Sequence, residues 1–412
     1  MDFEASVKYL LSLGHETLAI KLGLRNTELL LAALDNPERA FPSVQIAGTN
    51  GKGSTAVMLD SICRAAGIKS GLYTSPHLVS ITERIKVSDV EITREDFATC
   101  ATLVRDVSEQ LKALPTFFEQ VTAIALLAFR NAGVEFAILE TGLGGRLDSA
   151  TAANARIVGI TSIAYDHEEY LGNSIESIAA EKAAIIRPGV RAVIARQPEP
   201  AALDVLLKRC EQVGVIPVLA DSIATDGLVL GLRGQHQIDN AAVAIALAEL
   251  LRAEGFAISD SAIAAGVETA RHAARLEFIP HKPSFLIDGA HNPAGAQSLR
   301  AYLDQHALRP LTLVFGAMRD KQLEQMGEIL FPVADTLALT TIDNPRSASL
   351  EMLQTIARRF AKGTVLASES SAEALPIALS NTPAEGLICI AGSLYLAGEM
   401  RPLILSLSLG ES

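Results

Sequence analysis

The segment Val44-Gln45-Ile46-Ala47-Gly48-Thr49-Asn50-Gly51-Lys52-Gly53-Ser54-Thr55 decides the architecture predicted for the first half of this chain. A short apolar run ends in a glycine-rich turn that carries one lysine, and a helical pattern begins at Ser54. Glycines let backbone N–H groups converge on an anion, and the N-terminus of the following helix adds the positive end of its dipole. The segment predicts a phosphate loop between a strand and a helix. Lys52 would reach the terminal phosphates, and Ser54 or Thr55 would face a phosphate-bound Mg²⁺.

One residue departs from the most common form of such loops. Gly53 separates Lys52 from the hydroxyl of Ser54, whereas lysine is usually followed directly by Ser or Thr. This variant points away from the general run of nucleotide switches and motors. The alternative interpretation is a flexible turn with a chance lysine, which accounts less well for three glycines and two hydroxyls at these positions.

Composition places the chain among globular proteins. Its 412 residues, 49% of them hydrophobic and 20% charged, suffice for two or three domains with a buried core. The formal net charge of −12 argues against nucleic acid and membrane surfaces as partners. Four scattered cysteines indicate neither a zinc site nor disulfides, and the N-terminus lacks the features of a signal peptide. We therefore expect a cytoplasmic protein and, by default, a monomer.

Apolar runs rich in β-branched residues alternate with helical patterns along the whole chain. This alternation predicts an α/β protein with a mainly parallel sheet in an N-terminal, P-loop-containing domain and a smaller, Rossmann-like C-terminal domain. The two prolines of Ile279-Pro280-His281-Lys282-Pro283 predict a stiff linker at 279–283, between domains at 1–280 and 284–412. The predicted strands are Val44–Ala47, Ser70–Tyr73, Phe136–Leu139, Ile157–Ile163 and Arg191–Ala195, then Ser284–Ile287, Leu311–Phe315, Thr336–Thr341 and Gly386–Ile390.

Polar side chains follow several of these strands directly. Glu140 and Asp166-His167 do so in the first domain, and Asp288 and Ser393 do so in the second. Open α/β sheets bind ligands beyond the carboxyl ends of their strands. We therefore expect each domain to present its chemistry at one sheet edge, with the active site in a cleft between the two edges.

Each candidate segment also has a purely structural interpretation. Glu140 is suited to hold Mg²⁺, or it caps a glycine-rich loop. By itself, the pair Glu181-Lys182 is typical of a helix end with a surface ion pair. Thr116-Phe117-Phe118-Glu119 predicts a capping box, although its aromatic pair would also suit a flat ligand. A lone histidine such as His167 is more often a hydrogen-bonded structural residue than a ligand.

Together these segments resemble the folylpolyglutamate synthase/dihydrofolate synthase family, a branch of the Mur ligase superfamily. The resemblance runs in order from near residue 20 to near residue 400. It rests on Gly48–Ser54, Thr74–Leu78, Glu83–Ile85, Phe118-Glu119, Glu140–Asp148, Tyr165–His167, Tyr170–Gly172, Glu181–Ala183, Gly234–Gln237, Asn240–Ala242, Arg275–Glu277, Asp288–Pro293, Asn344–Arg346 and Gly392–Tyr395.

The resemblance implies an ATP- and Mg²⁺-dependent ligase. ATP phosphorylates the carboxylate of dihydropteroate, of a reduced folate such as tetrahydrofolate, or of both. The amino group of L-glutamate then attacks the acyl phosphate. The N-terminal domain would be the ATP-binding catalytic domain and the C-terminal one the glutamate-ligase domain.

The family pattern also implies residue roles. It implies ATP contacts for Asn50, Gly51, Lys52, Gly53, Ser54, Asn240, Arg275 and Asp288. It implies Mg²⁺ ligands, for two ions in all, at Ser75, Glu140 and His167. It implies catalytic roles for Lys52, Lys182 and His291, with a carbamate on Lys182, and glutamate binding by His291 and Ser393. The pteroate- or folate-binding wall would comprise Thr116, Phe117, Phe118, Glu119, Leu147, Asp148 and Ser149.

Three segments depart from the family pattern. Residues 149–154, Ser-Ala-Thr-Ala-Ala-Asn, stretch a usually tighter Asp-Ala-Thr-Asn pattern. His272-Ala273-Ala274 replaces Trp-Pro-Gly, and Ala184 stands where glycine is usual. All three leave the ligase prediction intact.

Three other functions compete with this one. A cell-wall ligase of the same superfamily usually carries a separate N-terminal domain for the sugar nucleotide, and only about 40 residues precede this loop. A P-loop switch or motor coupled to a partner is disfavoured by Gly53 and by the His291 and Ser393 segments. A binding module without turnover is disfavoured by the full set of metal and phosphate positions.

Overall fold

The computed structural model describes residues 1–14 and 23–409 of the chain and divides into two compact units. Unit 1 comprises Met1–Gly231 and Ile238–Ala270, and unit 2 comprises Leu232–Gln237 and Arg271–Ser412. The described helices are α1 (Phe3–Ser12), α2 (Arg25–Ala33), α3 (Lys52–Ala65), α4 (Arg94–Ser108), α5 (Phe117–Ala132), α6 (Glu168–Leu171), α7 (Ile175–Ala183), α8 (Pro200–Val213), α9 (His236–Ala253), α10 (Asp260–Thr269), α11 (Pro293–His306), α12 (Leu323–Leu330), α13 (Leu350–Phe360), α14 (Ser371–Ser380) and α15 (Leu394–Leu409). The described strands are β1 (Ser43–Ala47), β2 (Ser70–Tyr73), β3 (Ile85–Val87), β4 (Val90–Glu91), β5 (Phe136–Glu140), β6 (Ile157–Ile160), β7 (Arg191–Ile194), β8 (Val218–Leu219), β9 (Glu277–Ile279), β10 (Ser284–Ile287), β11 (Leu311–Phe315), β12 (Thr336–Thr340), β13 (Thr364–Ser368) and β14 (Leu387–Ala391).

The sheet of unit 1 is mainly parallel, as predicted. Its strand order is β4-β3-β2-β5-β1-β6-β7-β8, and the strands from β2 to β8 run parallel. The short β3 and β4 add an antiparallel edge that the sequence pattern did not predict. Every residue of β1 and β5 is buried, as expected for central strands covered by helices on both faces.

The sheet of unit 2 has the order β13-β12-β11-β14-β10-β9. Its strands are parallel except β9, which pairs antiparallel with β10. The predicted linker at 279–283 is wrong as a connection between domains, because it lies in the turn that joins β9 to β10. Prolines at 280 and 283 stiffen that turn, and the chain passes between the units near residue 270 instead.

Two helices of unit 1, α5 and α10, are anchored by local capping and by close packing respectively. Thr116 Oγ1 accepts from the Glu119 N–H at the start of α5, and Glu119 returns the bond to the Thr116 N–H. Gly266 of α10 packs so closely on α3 that a Cβ there would lie 2.5 Å from Cα of Ile62.

No helix among the described residues combines the length and apolar character needed to cross a membrane.

Candidate active site

Four adjacent strands of unit 1 bring the predicted phosphate and metal residues to one sheet edge. In the order β2-β5-β1-β6, their carboxyl ends lead to Ser75, Glu140, the phosphate loop (Gly48–Ser54) and His167. The parallel register sets Ile46 opposite Glu140, and the Thr141 N–H donates to the Ile46 carbonyl at 2.9 Å. Residues from four separated segments therefore lie side by side, as expected for parallel strands.

The phosphate loop is held in place by the segment that follows β6. The N–H groups of Thr49 and Asn50 donate to the Ser162 carbonyl at 2.8 and 3.1 Å. Thr49 Oγ1 both donates to the Ala164 carbonyl and accepts from the Ala164 N–H, at 3.1 Å each. Helix α3 begins at Lys52, so the N–H groups of its first turn are directed toward the loop. This is the arrangement that the sequence predicted for an anion site.

Glycine is required at position 51 both by the backbone conformation and by the close approach of a neighbouring side chain. Its φ is +91°, and a Cβ there would lie 2.0 Å from Oδ1 of Asn240 on α9. Asn240, a predicted ATP contact, thus packs directly against the phosphate loop, and its carbonyl accepts from Thr55 Oγ1 at 3.4 Å.

Replacing Gly51 by alanine is therefore expected to destabilise the protein by about 1–3 kcal/mol and to weaken nucleotide binding at least tenfold. Thermal unfolding and fluorescent nucleotide titration measure the two effects. Gly189→Ala is the matched control, because Gly189 also has a positive φ (+80°) but no atom within 4 Å of the position that a Cβ would take. Normal nucleotide affinity in Gly51→Ala would contradict the proposed contact.

Two lysines converge on one backbone carbonyl of the phosphate loop. Lys52 Nζ donates to the carbonyls of Gly48 and Thr49 at 3.1 and 3.0 Å. Lys182 Nζ, on α7, donates to the same Gly48 carbonyl at 2.8 Å. Burial, and then the charge of Lys52, lowers the pKa of Lys182 to about 7. At neutral pH a large share of Lys182 is therefore a neutral amine beside the phosphate loop.

The surface interpretation of Glu181-Lys182 is correct for one residue only. Glu181 forms a bidentate ion pair with Arg146, with Nη2 and Nε of the arginine 2.8 and 3.1 Å from Oε1. Lys182 instead is only 5% exposed. The Arg146 N–H also donates to the Glu181 carbonyl at 2.9 Å, so the 140–148 loop is fixed to the helix turn that carries Lys182.

Glu140 lies at the end of β5 with its side chain buried. Its Oε2 accepts from the Ser75 N–H at 3.0 Å, so two of the predicted metal ligands are in direct contact. His167 follows β6 in the left-handed conformation (φ +52°), beside the buried carboxylate of Asp166. Among the described residues, no group of three or more His, Cys, Asp and Glu side chains is placed to hold a metal. The carboxylate of Glu140 and the hydroxyl of Ser75 nevertheless suit a Mg²⁺ that takes its other oxygen ligands from phosphates and water, whereas the imidazole of His167 is an unusual ligand for this ion.

The predicted pteroate wall divides into structural and accessible residues. Thr116 and Glu119 form the capping box described above, and Phe117 is buried. Phe118 is half-buried and packs on Gly142, where a Cβ would lie 2.2 Å from the ring. The requirement for glycine at 142 comes from this contact, which the sequence pattern did not reveal.

Asp148 holds the loop that follows β5. Its carboxylate accepts from the N–H groups of Gly142 and Leu143 at 3.0 Å and of Ala150 at 2.9 Å. Burial raises its pKa to about 6, against these hydrogen bonds and the nearby charge of Lys52. Leu147 and Ser149 flank it, half-buried and buried respectively.

A buried cation behind this wall received no role from the sequence. Arg84 is fully buried, its Nε donates to Nδ1 of His77 at 2.8 Å, and its guanidinium lies 5.7 Å from the Phe117 ring centre. Burial and the charge of Arg84 lower the pKa of His77 to about 3, so this histidine is a neutral acceptor. The pair fixes the 74–78 loop, which carries Ser75, against α5. Arg84 belongs to a segment that resembles the family pattern, but only the fold shows that its guanidinium is buried.

Unit 2 gathers its predicted residues at the carboxyl ends of the neighbouring strands β10 and β14. Asp288 accepts from the N–H groups of Leu276 and Ala290 at 2.9 Å each, and burial raises its pKa, opposed mainly by Arg275. Nδ1 of His291 lies 2.8 Å from the Gly289 carbonyl, which requires Nδ1 to be the protonated nitrogen. The Gly392 N–H donates to the Ala290 carbonyl at 3.0 Å, so the turn before Ser393 is tied to the His291 turn.

Comparison with known proteins matches both units to one family. Residues 46–204 match the Mur ligase middle domain, and residues 274–394 match the Mur ligase glutamate ligase domain. The chain is 33% identical to dihydrofolate synthase/folylpolyglutamate synthase of Bacillus subtilis, covering 94% of this chain and 96% of that protein. It matches the structure of Mycobacterium tuberculosis folylpolyglutamate synthase complexed with ADP with a TM-score of 0.89 and 32% identity, covering 98% and 99% of the two chains.

A further structure is that of a bifunctional folylpolyglutamate synthase/dihydrofolate synthase with Mn, AMPPNP and L-glutamate bound. It matches with a TM-score of 0.84 and 28% identity, covering 98% of each chain. From these similarities along nearly its full length, and from the residues assembled at its two sheet edges, the chain belongs to the dihydrofolate synthase/folylpolyglutamate synthase family of Mur ligases.

Proposed function

We propose that the protein adds L-glutamate to dihydropteroate, to a reduced folate, or to both, in an ATP- and Mg²⁺-dependent reaction through an acyl phosphate. Members of its family are ATP-dependent ligases. The observation that carries the proposal is the convergence of Lys52 and Lys182 on Gly48 beside the buried Glu140. A lysine cation, a second lysine that is largely a neutral amine, and a carboxylate at the same sheet edge suit transfer of a phosphoryl group.

In the first step the substrate carboxylate attacks the γ-phosphorus of ATP, and ADP leaves. The phosphate loop and Lys52 would hold the phosphates, and rotation of Lys52 from its two loop carbonyls would bring its charge to them. Ser75, Glu140 and His167 would hold one Mg²⁺. A carbamate on Lys182 would support a second Mg²⁺. Bound Mg²⁺ supplies charge neutralisation at the phosphates.

Lys182 is suited to carry a carbamate. Only a neutral amine adds to CO₂, and the lowered pKa of Lys182 provides that form near pH 7. The nitrogen forms a bond to the carbon of CO₂ and loses a proton to solvent, so the product is an anion in place of a neutral amine beside the phosphate loop. We propose this anion as the second carboxylate-like group of the site.

In the second step the glutamate amine attacks the acyl phosphate carbonyl, inorganic phosphate leaves and a proton is lost. We assign glutamate binding to His291 and Ser393. Since Nδ1 of His291 donates to Gly289, Nε2 is the ring atom that would accept the proton from the amine. Asp288 and Arg275, which interact electrostatically, are assigned to the nucleotide together with Asn240.

We assign the pteroate wall to Phe118 and Leu147, because their side chains are partly exposed. Thr116, Phe117, Glu119, Asp148 and Ser149 would shape this wall from behind. The four cysteines are free and buried, which supports a reducing compartment, the cytoplasm.

Purified protein with Mg²⁺ and ATP is expected to release phosphate only when L-glutamate and a pteroate-type acid are both present. A coupled phosphate assay with dihydropteroate and with tetrahydrofolate separates the two synthase activities. Replacing L-glutamate by D-alanine or a diamino acid is the control for a cell-wall type of ligase. Phosphate release without glutamate would contradict the proposal.

A further inference from the structure

Arg275, which the proposed function assigns to the nucleotide, lies between two residues in a backbone conformation that non-glycine residues rarely adopt. Ala274 has a φ of +55° and Leu276 has a φ of +46°, and both are buried. Ala274 belongs to the segment in which this chain replaces the Trp-Pro-Gly of the family pattern, so a residue with a Cβ takes the conformation that suits glycine. Such a backbone persists only where surrounding contacts fix it.

One set of these contacts comes from the turn that follows β10. The Gly289 N–H donates to the Ala274 carbonyl at 2.8 Å, and the Leu276 N–H donates to Oδ2 of Asp288 at 2.9 Å. A Cβ at position 289 would lie 3.0 Å from Nη1 of Arg275, so the guanidinium lies against this turn. Two hydrogen bonds therefore bracket Arg275 on the turn that carries Asp288, the other residue of unit 2 assigned to the nucleotide.

A second set of contacts comes from an ion pair that received no role from the sequence. Oε2 of Glu277, the first residue of β9, accepts from the Ala274 N–H at 2.9 Å. Nε of Arg401, on α15, lies 3.0 and 2.9 Å from Oε1 and Oε2 of the same carboxylate, and its Nη2 lies 2.8 Å from Oε1. The Glu277 and Arg401 side chains are only 19% and 29% exposed. A partly buried, two-pronged pair of this kind fixes the orientation of the carboxylate.

The ion pair reaches Arg275 through a single hydrogen bond. Glu277 closes the four-residue turn 274–277 by holding its first N–H, and Arg275 lies inside that turn. Arg401 in turn holds the Glu277 carboxylate where it can accept this bond. All of these residues belong to unit 2, so the chain of contacts does not depend on the placement of the other unit.

We propose that Glu277 and Arg401 are positioning residues for nucleotide binding. Their ion pair holds the 274–277 turn, and with it Arg275, in the orientation that meets the nucleotide. This inference rests on the proposed function, which assigns Arg275 to ATP, and it adds two residues to which that function gives no role. A side chain of the C-terminal helix α15 thereby contributes to ATP affinity without touching ATP.

The test is a double-mutant cycle of Arg275→Met and Arg401→Met in the full-length protein, with calorimetric titration of the ATP analogue AMPPNP in the presence of Mg²⁺. Arg401→Met is expected to weaken AMPPNP binding about five- to tenfold, and Arg275→Met roughly tenfold or more. If Arg401 acts through Arg275, Arg401→Met costs less than about twofold once Arg275 is already methionine. Glu277→Gln replaces Arg401→Met in the cycle if the latter does not fold, because it removes the charge of the carboxylate and keeps its size.

Arg300→Met is the matched control. Nε of Arg300 lies 2.9 and 2.8 Å from the two carboxylate oxygens of Asp304 within α11, a similar two-pronged pair in the same unit. This variant should lower the unfolding temperature and keep the native affinity for AMPPNP. Steady-state kinetics then separate positioning from general damage to the fold. In Arg401→Met the KM for ATP should rise by the same factor as the dissociation constant of AMPPNP, whereas kcat and the KM for L-glutamate change less than about twofold.

Three results would overturn the inference. The first is that Arg401→Met lowers the unfolding temperature without changing AMPPNP affinity, which makes the ion pair purely structural. The second is that the losses of the two single variants multiply in the double variant, so that Arg401 acts elsewhere. The third is that Arg275→Met binds AMPPNP like the native protein, which leaves no nucleotide contact to position. Failure of the proposed ligase function is distinguishable, because it removes glutamate-dependent phosphate release from the native protein and leaves the AMPPNP cycle intact.

Discussion

Replacing Lys182 by methionine is expected to lower the ligation rate by about 10²–10³-fold while leaving the protein folded. The rate falls because the amine that contacts the Gly48 carbonyl, and any carbamate built on it, is lost beside the phosphate loop. The fold survives because methionine has a similar length and suits a position that is only 5% exposed. Steady-state phosphate release and thermal unfolding measure the two effects.

Unfolding of the same variant reports on the titration of Lys182. In the native protein its pKa is about 7, against 10.5 for the ordinary side chain. Between these two pH values the unfolded chain binds one more proton, so this lysine makes stability rise with pH. Integrated over the interval, its protonation costs the folded protein about 4–5 kcal/mol at pH 7 and below, and nothing above pH 10.5.

Methionine removes this dependence. The stability of Lys182→Met relative to the native protein is therefore expected to fall by about 1 kcal/mol per pH unit between pH 7 and pH 9.5. Denaturant unfolding at several pH values measures this difference, and groups common to both proteins cancel. Lys208→Met, at an exposed lysine of α8, is the control and should show no such trend. A pH-independent difference for Lys182→Met would contradict the lowered pKa.

The carbamate has its own test in Lys182→Ala. The shorter side chain leaves space beside Gly48, so acetate or formate is expected to restore part of the ligation rate. If small carboxylates do not change the activity of Lys182→Ala, the carbamate hypothesis is wrong. Lys182 would then act as a cation or as a hydrogen-bond donor.

The phosphate loop and its strand could be predicted because their constraints are local. A buried β-branched run, glycines in a turn and a helical pattern after Ser54 fall within a dozen residues, and the structure has β1 and α3 at those positions. Most of the parallel strands were predicted for the same reason, although the edge strands β8 and β13, which also pair in parallel, were not. Short edge strands such as β3, β4 and β9 were not, because two or three residues carry too little periodicity to be distinguished from a loop.

The chemical state of Lys182 could not be predicted from its neighbours in sequence. Glu181-Lys182 near a helix end is typical of a surface ion pair, and Glu181 does form one with Arg146. Lys182 is buried because α7 packs its last turn on the 140–148 loop and on the start of the phosphate loop, contacts between segments far apart in sequence. Its pKa is a property of that packing and not of the dipeptide.

The linker prediction failed for a related reason. Pro280 and Pro283 were interpreted as a stiff connection, which is the usual meaning of two prolines in a polar stretch. The same residues suit the turn between two antiparallel strands, and Phe285 pairing with Ile279 decides between the two interpretations. Pairing between strands depends on the hydrophobic faces that they bury together, which a local composition shift does not reveal.

Replacing Glu140 by glutamine is expected to lower turnover about 10³-fold at every Mg²⁺ concentration. Glutamine keeps the size of the side chain, and its amide oxygen can accept the hydrogen bond that Oε2 receives from the Ser75 N–H at 3.0 Å. The variant therefore changes the charge of this buried group and leaves the contact between the β5 and β2 loops. Loss of turnover would then report the carboxylate's role toward Mg²⁺ and the phosphates, not a loss of the fold.

Glu135→Gln is the matched control, because Glu135 precedes the other end of β5, is exposed and holds the Lys69 N–H at 2.8 Å. Its turnover should equal that of the native protein, and both variants should unfold at similar temperatures. Phosphate release by Glu140→Gln is then measured across a Mg²⁺ titration in the presence of L-glutamate and dihydropteroate. Recovery at high Mg²⁺ would show that Glu140 only raises metal affinity. A rate that stays low at saturating metal shows that its charge is needed while the phosphoryl group is transferred, because added Mg²⁺ restores occupancy but not the missing carboxylate.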